Sequence, residues 1–264
     1  MKILSYLAAG EQRFGELRDG RVHDIGTDPF RPTEPASTGT PVGELELTWP
    51  LPRPGKIVCV GLNYRDHAAE AGLPVPESPV VFTKFTTSIV GPGADIVLPA
   101  DAPEKVDWEV ELGVVIGHRA RDVAEADALD HVFGYTALND VSARDLQQSE
   151  GQWVRCKSFD TFCPMGPAVV TADEVADPQA LAVRTRLNGD TVQDSSTSQM
   201  VFGVAELVSR LSRDLTLEPG DVIATGTPPG VGVAMDPPRF LRPGDVIEVE
   251  VEHVGVLTNH VVAK

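Results

Sequence analysis

The sequence predicts a β-rich mixed α/β fold made of a small N-terminal module and a larger body. Three observations carry this expectation. Short β-type segments recur along the whole chain, 24 glycines and 22 prolines among 264 residues favour tight corners, and only three stretches carry helical patterning.

The N-terminal module spans residues 1–52. It alternates short apolar runs with turns: Lys2 to Ala8, then Gly10-Glu11, Phe14 to Leu17, Asp19-Gly20 and Arg21 to Ile25, a hairpin-rich pattern. A stretch rich in Pro, Thr and Gly from Thr27 to Pro41, followed by Pro50, Pro52 and Pro54, places a boundary near residue 53 and a second domain over 53–264. Met1 to Ala9 is split by polar residues and followed at once by Gly10-Glu11-Gln12-Arg13, so it reads as the first strand of a cytoplasmic protein and not as a signal peptide.

In the body, strands are expected at Lys56 to Gly61, Val80 to Lys84, Glu109 to Ile116, Tyr135 to Asp140, Ala168 to Thr171, Val183 to Asn188, Asp221 to Thr225, Asp245 to Glu252 and Gly255 to Val262. Helices are expected over Ala124 to Val132, from Ser142 onward, and over Val204 to Leu215. In the last of these, Val204, Leu207, Val208 and Leu211 repeat at the three- and four-residue spacing of one buried face. Leu217 to Ile223 echoes Leu241 to Ile247 because two strands are entered through the same Pro-Gly-Asp turn.

Composition narrows the function. A chain of this size buries about 73 % of its surface on folding, enough for one sizeable core without disulfides or structural zinc. The net charge of −17 argues against a nucleic-acid backbone or an anionic membrane as partner. The longest uncharged run, Val222 to Met235, has 14 residues broken by two prolines and three glycines, whereas a bilayer span needs about 20 apolar residues. Cys59, Cys156 and Cys163 are odd in number and form no CxxC pair, so they read as buried free thiols.

Within Trp108 to Ile116, Val110, Leu112, Val114 and Ile116 share one strand face. Glu109 and Glu111 then project together from the other, about 6.6 Å apart along the strand. Converging carboxylates repel unless solvated or bridged by a cation, so the pair is either a solvated face or half of a site for a hard divalent ion. Asp140, at a strand end in Asn139-Asp140-Val141-Ser142-Ala143-Arg144-Asp145, offers a third carboxylate. Ser142 and Asp145 resemble a capping box that opens a helix. Three carboxylates with no neighbouring His or Cys suit Mg²⁺ or Mn²⁺ better than Zn²⁺.

In Gly61 to Gly72, His67 and Glu70 at i and i+3 share one face of a helical turn. The carboxylate would orient the imidazole as a general base requires, although an incidental surface ion pair has the same spacing. Lys157 sits among apolar residues in Arg155 to Pro167, so its charge needs an anion, either a substrate oxyanion or an acidic ligand. Ala224 to Gly232 ends a strand in glycines and hydroxyls and lacks the Gly-Lys-Ser/Thr of a P-loop. It reads as a tight turn or as a backbone and hydroxyl cradle for a carboxylate.

Taken in order, Gly-Leu-Asn-Tyr-Arg-Asp-His (61–67), Glu-Val-Glu-Leu-Gly (109–113), Asn-Asp-Val-Ser-Ala-Arg-Asp (139–145), Lys-Ser-Phe-Asp-Thr-Phe (157–162) and Thr-Gly-Thr-Pro-Pro-Gly-Val-Gly (225–232) resemble the fumarylacetoacetate hydrolase family, from about Lys56 to Val262. The resemblance implies a fumarylacetoacetase C-terminal-like β-roll of mixed sheets around a buried site, and a homodimer. It implies one Mg²⁺ or Mn²⁺ per chain on Glu109, Glu111 and Asp140, and a segment carrying His67 and Glu70 that orders over the substrate. It places Lys157, Thr227 and Gly226 at the ligand, with Arg65 and Gln147 near it. The expected partner is a small 2-oxo acid, with no nucleic acid and no membrane.

The implied reaction is metal-dependent hydrolysis of the C3–C4 bond of a 2,4-dioxo acid to pyruvate and a carboxylic acid. His67, held by Glu70, would deprotonate the water that attacks C4, with Lys157 stabilising the oxyanion. Oxaloacetate decarboxylation and isomerisation of a 2-hydroxymuconate-type diacid would use the same enolate-stabilising site. A catalytically silent, metal-dependent carboxylate-binding protein would use the same fold.

Overall fold

The computed structural model describes residues 1–100 and 104–264, and its longer strands fall into two mixed sheets. β1 (Lys2–Ala8), β2 (Glu11–Arg18) and β3 (Arg21–Gly26) form an antiparallel meander, as the alternation of apolar runs and turns predicts. The chain continues through β4 (Ile57–Gly61), helix α1 (Arg65–Glu70), β5 (Val80–Lys84), β6 (Asp95–Leu98), β7 (Val110–Ile116), β8 (Val132–Asn139), α2 (Arg144–Ser149), α3 (Val154–Lys157) and β9 (Cys163–Thr171). It ends with β10 (Ala182–Leu187), β11 (Asp190–Ser196), α4 (Val204–Asp214), β12 (Val222–Ala224), β13 (Val246–Val251) and β14 (Gly255–Ala263).

The first sheet runs β3-β2-β1-β9-β8-β7-β12-β4-β5, antiparallel along that order except for β12 beside β4. The N-terminal meander joins it edge to edge, with Lys2 opposite Val170. The second sheet runs β11-β10-β13-β14-β6, antiparallel except for β14 beside β6. Between them lies a core that buries Val110, Leu112 and Val114 of β7, Val183 of β10, and Val249 and Val251 of β13. The face of α4 carrying Val204, Leu207, Val208 and Leu211 packs into the same core, as its spacing predicts. The accessible surface of 11,352 Å² agrees with the roughly 11,000 Å² expected for a folded chain of this mass. No helix among the described residues is long and apolar enough to cross a membrane. The three cysteines are buried and free, as expected.

Several local expectations are corrected. The helix expected over Ala124 to Val132 is a 3-10 turn over Glu125–His131, which buries only Ala128 and so has no apolar face to hold an α-helix against the core. The capping box at Ser142 does not form. Ser142–Ala143 pairs as a short strand with Val106–Asp107, α2 begins at Arg144, and Ser142 Oγ donates to the Asp140 carbonyl at 2.8 Å. β9 starts at Cys163, before the expected Ala168. β11 escapes the sequence reading because Asp-Thr-Val-Gln-Asp-Ser-Ser lacks apolar alternation.

Candidate active site

β7 and β8 pair with Val110 opposite Asn139, and this register sets Glu109 and Glu111 beside the end of β8, where Asp140 follows. The Asp140 N–H donates to the Glu109 carbonyl at 2.9 Å and closes the corner. One carboxylate oxygen from each of Glu109, Glu111 and Asp140 lies within 4.8 Å of the other two, and all three residues are buried.

Cations surround two of these carboxylates. Lys157 Nζ lies 2.9 Å from Glu109 Oε2 and 2.8 Å from Asp140 Oδ2, Arg144 Nη2 lies 2.6 Å from Glu109 Oε1, and Lys84 Nζ lies 2.5 Å from Asp140 Oδ1. Burial alone would push the Glu109 carboxyl up, but the Lys157 and Arg144 charges outweigh it and hold the group at about 2. Burial alone would lower the Lys157 ammonium, and Asp140 and Glu109 more than offset that, holding it above its ordinary value. Glu111 stands apart. Its Oε2 accepts the Gly226 N–H at 2.8 Å, while burial and the charges of Asp140 and Glu109 drive its carboxyl well above the usual range. A divalent ion beside the three would relieve that repulsion, and an all-oxygen, hard donor set is what Mg²⁺ and Mn²⁺ prefer. The residues present therefore fit such an ion.

Asp107 braces this arrangement from behind. It accepts Arg144 Nε at 2.6 Å and the Val233 N–H at 2.9 Å, and burial raises its carboxyl to about 6 against the opposing charge of Arg144.

A cavity of about 320 Å³ opens over two of the three carboxylates, lined by Glu109, Glu111, Lys157, Gln147 and His67 and walled by apolar residues that include Leu62, Phe82, Trp153 and Val231. Leu62 turns the chain from β4 toward α1 with φ of 51°, a left-handed conformation that costs a branched side chain energy and clusters at functional sites. On α1, His67 Nδ1 lies 3.0 Å from Glu70 Oε2, which leaves Nε2 for a ligand. Glu70 Oε1 accepts the Gly230 N–H at 2.8 Å, so the helix is tied across the cavity to the loop after β12.

The structure thus brings together Glu109, Glu111, Asp140, His67, Glu70, Lys157 and Gln147. Lys157 pairs with acidic groups, one of its two expected roles, while still lining the cavity, and Gln147 Oε1 accepts from Arg144 Nη1 at 2.8 Å. Two expectations are corrected. Arg65 does not line the cavity and donates to the Met200 carbonyl instead. The loop expected to cradle a substrate carboxylate cradles the protein's own: the Gly226 amide is spent on Glu111. Thr227 lines the cavity as expected, and its hydroxyl gives its single proton to the Val110 carbonyl at 2.9 Å, so toward a ligand its oxygen only accepts. Sequence reasoning misses Lys84, Asp107, Arg144 and Gln193. The one available signal is Arg144, which stands inside the Asn139 to Asp145 motif.

The family model described as fumarylacetoacetate hydrolase C-terminal matches residues 56–262. The mitochondrial oxaloacetate tautomerase FAHD2A of Bos taurus is 52 % identical over 84 % of this chain and 71 % of its own length. A 5-carboxymethyl-2-hydroxymuconate delta-isomerase from Mycobacterium smegmatis superposes with a TM-score of 0.88 at 40 % identity, covering 100 % of both chains. A maleylpyruvate hydrolase from Sphingobium sp. SYK-6, solved with manganese(II) and pyruvate, superposes with a TM-score of 0.82 at 30 % identity, covering 100 % of this chain and 99 % of that one. The first of these corrects the expectation of a cytoplasmic protein, because that relative is named as mitochondrial. A net charge of −17 and buried free thiols are compatible with any aqueous, reducing compartment and do not decide between them.

Proposed function

The chain belongs to the fumarylacetoacetate hydrolase family, and from that premise we propose that it is a metal-dependent isomerase that moves a proton at the carbon beside the 2-oxo group of a small 2-oxo diacid. Its substrate is the enol or keto form of oxaloacetate, or a 2-hydroxymuconate-type diacid. The observation that carries this reading is that His67, paired with Glu70, lines the same cavity as Glu109 and Glu111 of the buried trio completed by Asp140. The names of the bovine tautomerase and the mycobacterial isomerase support it over the hydrolysis expected from sequence.

When bound on the trio, Mg²⁺ or Mn²⁺ supplies Lewis-acid charge that acidifies the protons beside a 2-oxo group. The chain's own groups handle the proton. Glu70, anchored by the Gly230 N–H, accepts from His67 Nδ1–H and leaves Nε2 as the base that takes the C3 proton. The Lys157 ammonium offsets the negative charge that grows on the 2-oxo oxygen. Return of the proton to that oxygen completes enolisation, and return to C3 reverses it.

C–C hydrolysis is the second reading. The same Nε2 has the chemistry to deprotonate a water instead, and the maleylpyruvate hydrolase neighbour favours it. Chelator-stripped protein, with and without added Mn²⁺, separates the readings when oxaloacetate and acetylpyruvate are followed in parallel for enol absorbance and for pyruvate. Metal-dependent loss of oxaloacetate enol without pyruvate is the expected result. Metal-dependent pyruvate and acetate from acetylpyruvate would establish the hydrolase, and pyruvate with CO₂ from oxaloacetate would establish a decarboxylase.

A further inference from the structure

Val110 separates Glu109 from Glu111, so its backbone sets how the two carboxylates converge. On the side of β7 away from β8, the partner strand β12 pairs only with Gly113 to Val115 and stops short of Val110. Two side chains take its place. The Val110 N–H donates to Gln193 Oε1 at 3.0 Å, and the Val110 carbonyl accepts from Thr227 Oγ1 at 2.9 Å.

Gln193 is 1 % exposed, reaches across from β11 of the second sheet, and has every polar position engaged. Oε1 also accepts from Thr185 Oγ1 at 2.7 Å, while Nε2 donates to Thr227 Oγ1 at 2.9 Å and to the Pro228 carbonyl at 2.9 Å. The Val110 N–H donates only and the Pro228 carbonyl accepts only, so the amide has one orientation.

We infer that Gln193 is a positioning residue for the metal centre: it clamps Val110, and the Thr227 loop with it, so that Glu109 and Glu111 converge on one ion. The inference rests on the metal reading of the trio. A side chain without the amide leaves the Val110 N–H unpaired in a buried place, and the backbone shifts to find another partner. Because successive strand residues point to opposite faces, a small rotation at Val110 swings both carboxylates.

The test is a Mn²⁺ titration, read from the free-ion electron paramagnetic resonance signal, on wild type, Gln193→Leu and Thr185→Val, with melting temperature measured beside it. Thr185→Val removes only the group that steadies Gln193 and touches nothing in the cavity. Gln193→Leu is expected to weaken Mn²⁺ binding at least tenfold, and Thr185→Val about threefold. Variants with lowered melting temperatures but wild-type Mn²⁺ affinity would overturn the inference. If Gln193→Leu does not fold, Thr185→Val decides by the same criterion. Wild type that binds no Mn²⁺ overturns the metal reading and the clamp together, whereas wild type and Gln193→Leu binding equally overturns the clamp alone.

Discussion

Lys84 Nζ lies 2.5 Å from Asp140 Oδ1, in an ion pair where neither side chain has any exposure to solvent. Lys157 holds the other oxygen of the same carboxylate at 2.8 Å, so Asp140 is gripped from both sides by buried ammonium groups. Removing Lys84 leaves Lys157 to balance two buried carboxylates, Asp140 and Glu109. Lys84→Met is therefore expected to cost about 3 kcal/mol of stability, read from the urea midpoint. The loss in Lys84→Met combined with Asp140→Asn should be smaller than the sum of the two single losses, and strictly additive losses would contradict the pairing.

Gly226 has φ of +96°, and a Cβ there would lie 2.8 Å from Asn63 Cβ and 2.9 Å from the Val60 carbonyl oxygen. Its N–H is the hydrogen bond that holds Glu111. Gly226→Ala is expected to destabilise the chain by about 2 kcal/mol and to weaken Mn²⁺ binding. Unchanged melting and unchanged Mn²⁺ affinity would show that the loop tolerates the side chain and that Glu111 does not depend on it.

His67 and Glu70 stand on α1, outside the carboxylate trio. His67→Gln should lower turnover about 100-fold and Glu70→Gln less, with Mn²⁺ affinity kept in both. Steady-state rates beside a metal titration check this, and wild-type turnover in His67→Gln would remove the imidazole from the mechanism.

In the N-terminal meander, Arg13 donates through Nε and Nη2 to both oxygens of Asp24, each at 2.6 Å. The hydrogen bond from Arg13 holds the Asp24 carboxyl below its ordinary 3.8, against the opposing effect of burial. A carboxyl lowered in the folded state contributes stability that is complete above its unfolded value and is lost as pH falls through the folded one. The gap in melting temperature between wild type and Asp24→Asn should therefore be larger at pH 7 than at pH 3. A gap independent of pH would contradict the pairing.

How much of this was legible in the sequence follows from where each partner lies. Glu109 and Glu111 are two residues apart on a strand and His67 and Glu70 three apart on a helix, so local periodicity alone brings each pair together. Asp140 follows from the end of its strand. Lys84 closes the apolar run Val-Val-Phe-Thr-Lys, where a lysine reads as the solvated end of a strand until the fold sets Asp140, 56 residues on, against it. Gln193 lies in a polar strand and meets Val110 from 83 residues away, a contact that only the packing of one sheet on the other creates. Ser142 is the opposite case. Its spacing to Asp145 fits a capping box, but the tight turn after Asp140 takes the hydroxyl first.

The proposed reaction is metal-dependent proton transfer beside a 2-oxo group. Its most direct test is the stopped-flow rate at which enol-oxaloacetate, delivered from dry solvent, converts to the keto form with chelator-stripped wild type or Glu109→Ala, each with and without Mn²⁺. Acceleration over the buffer rate by wild type with Mn²⁺ alone is the predicted result. Equal acceleration without Mn²⁺, or by Glu109→Ala, would contradict it.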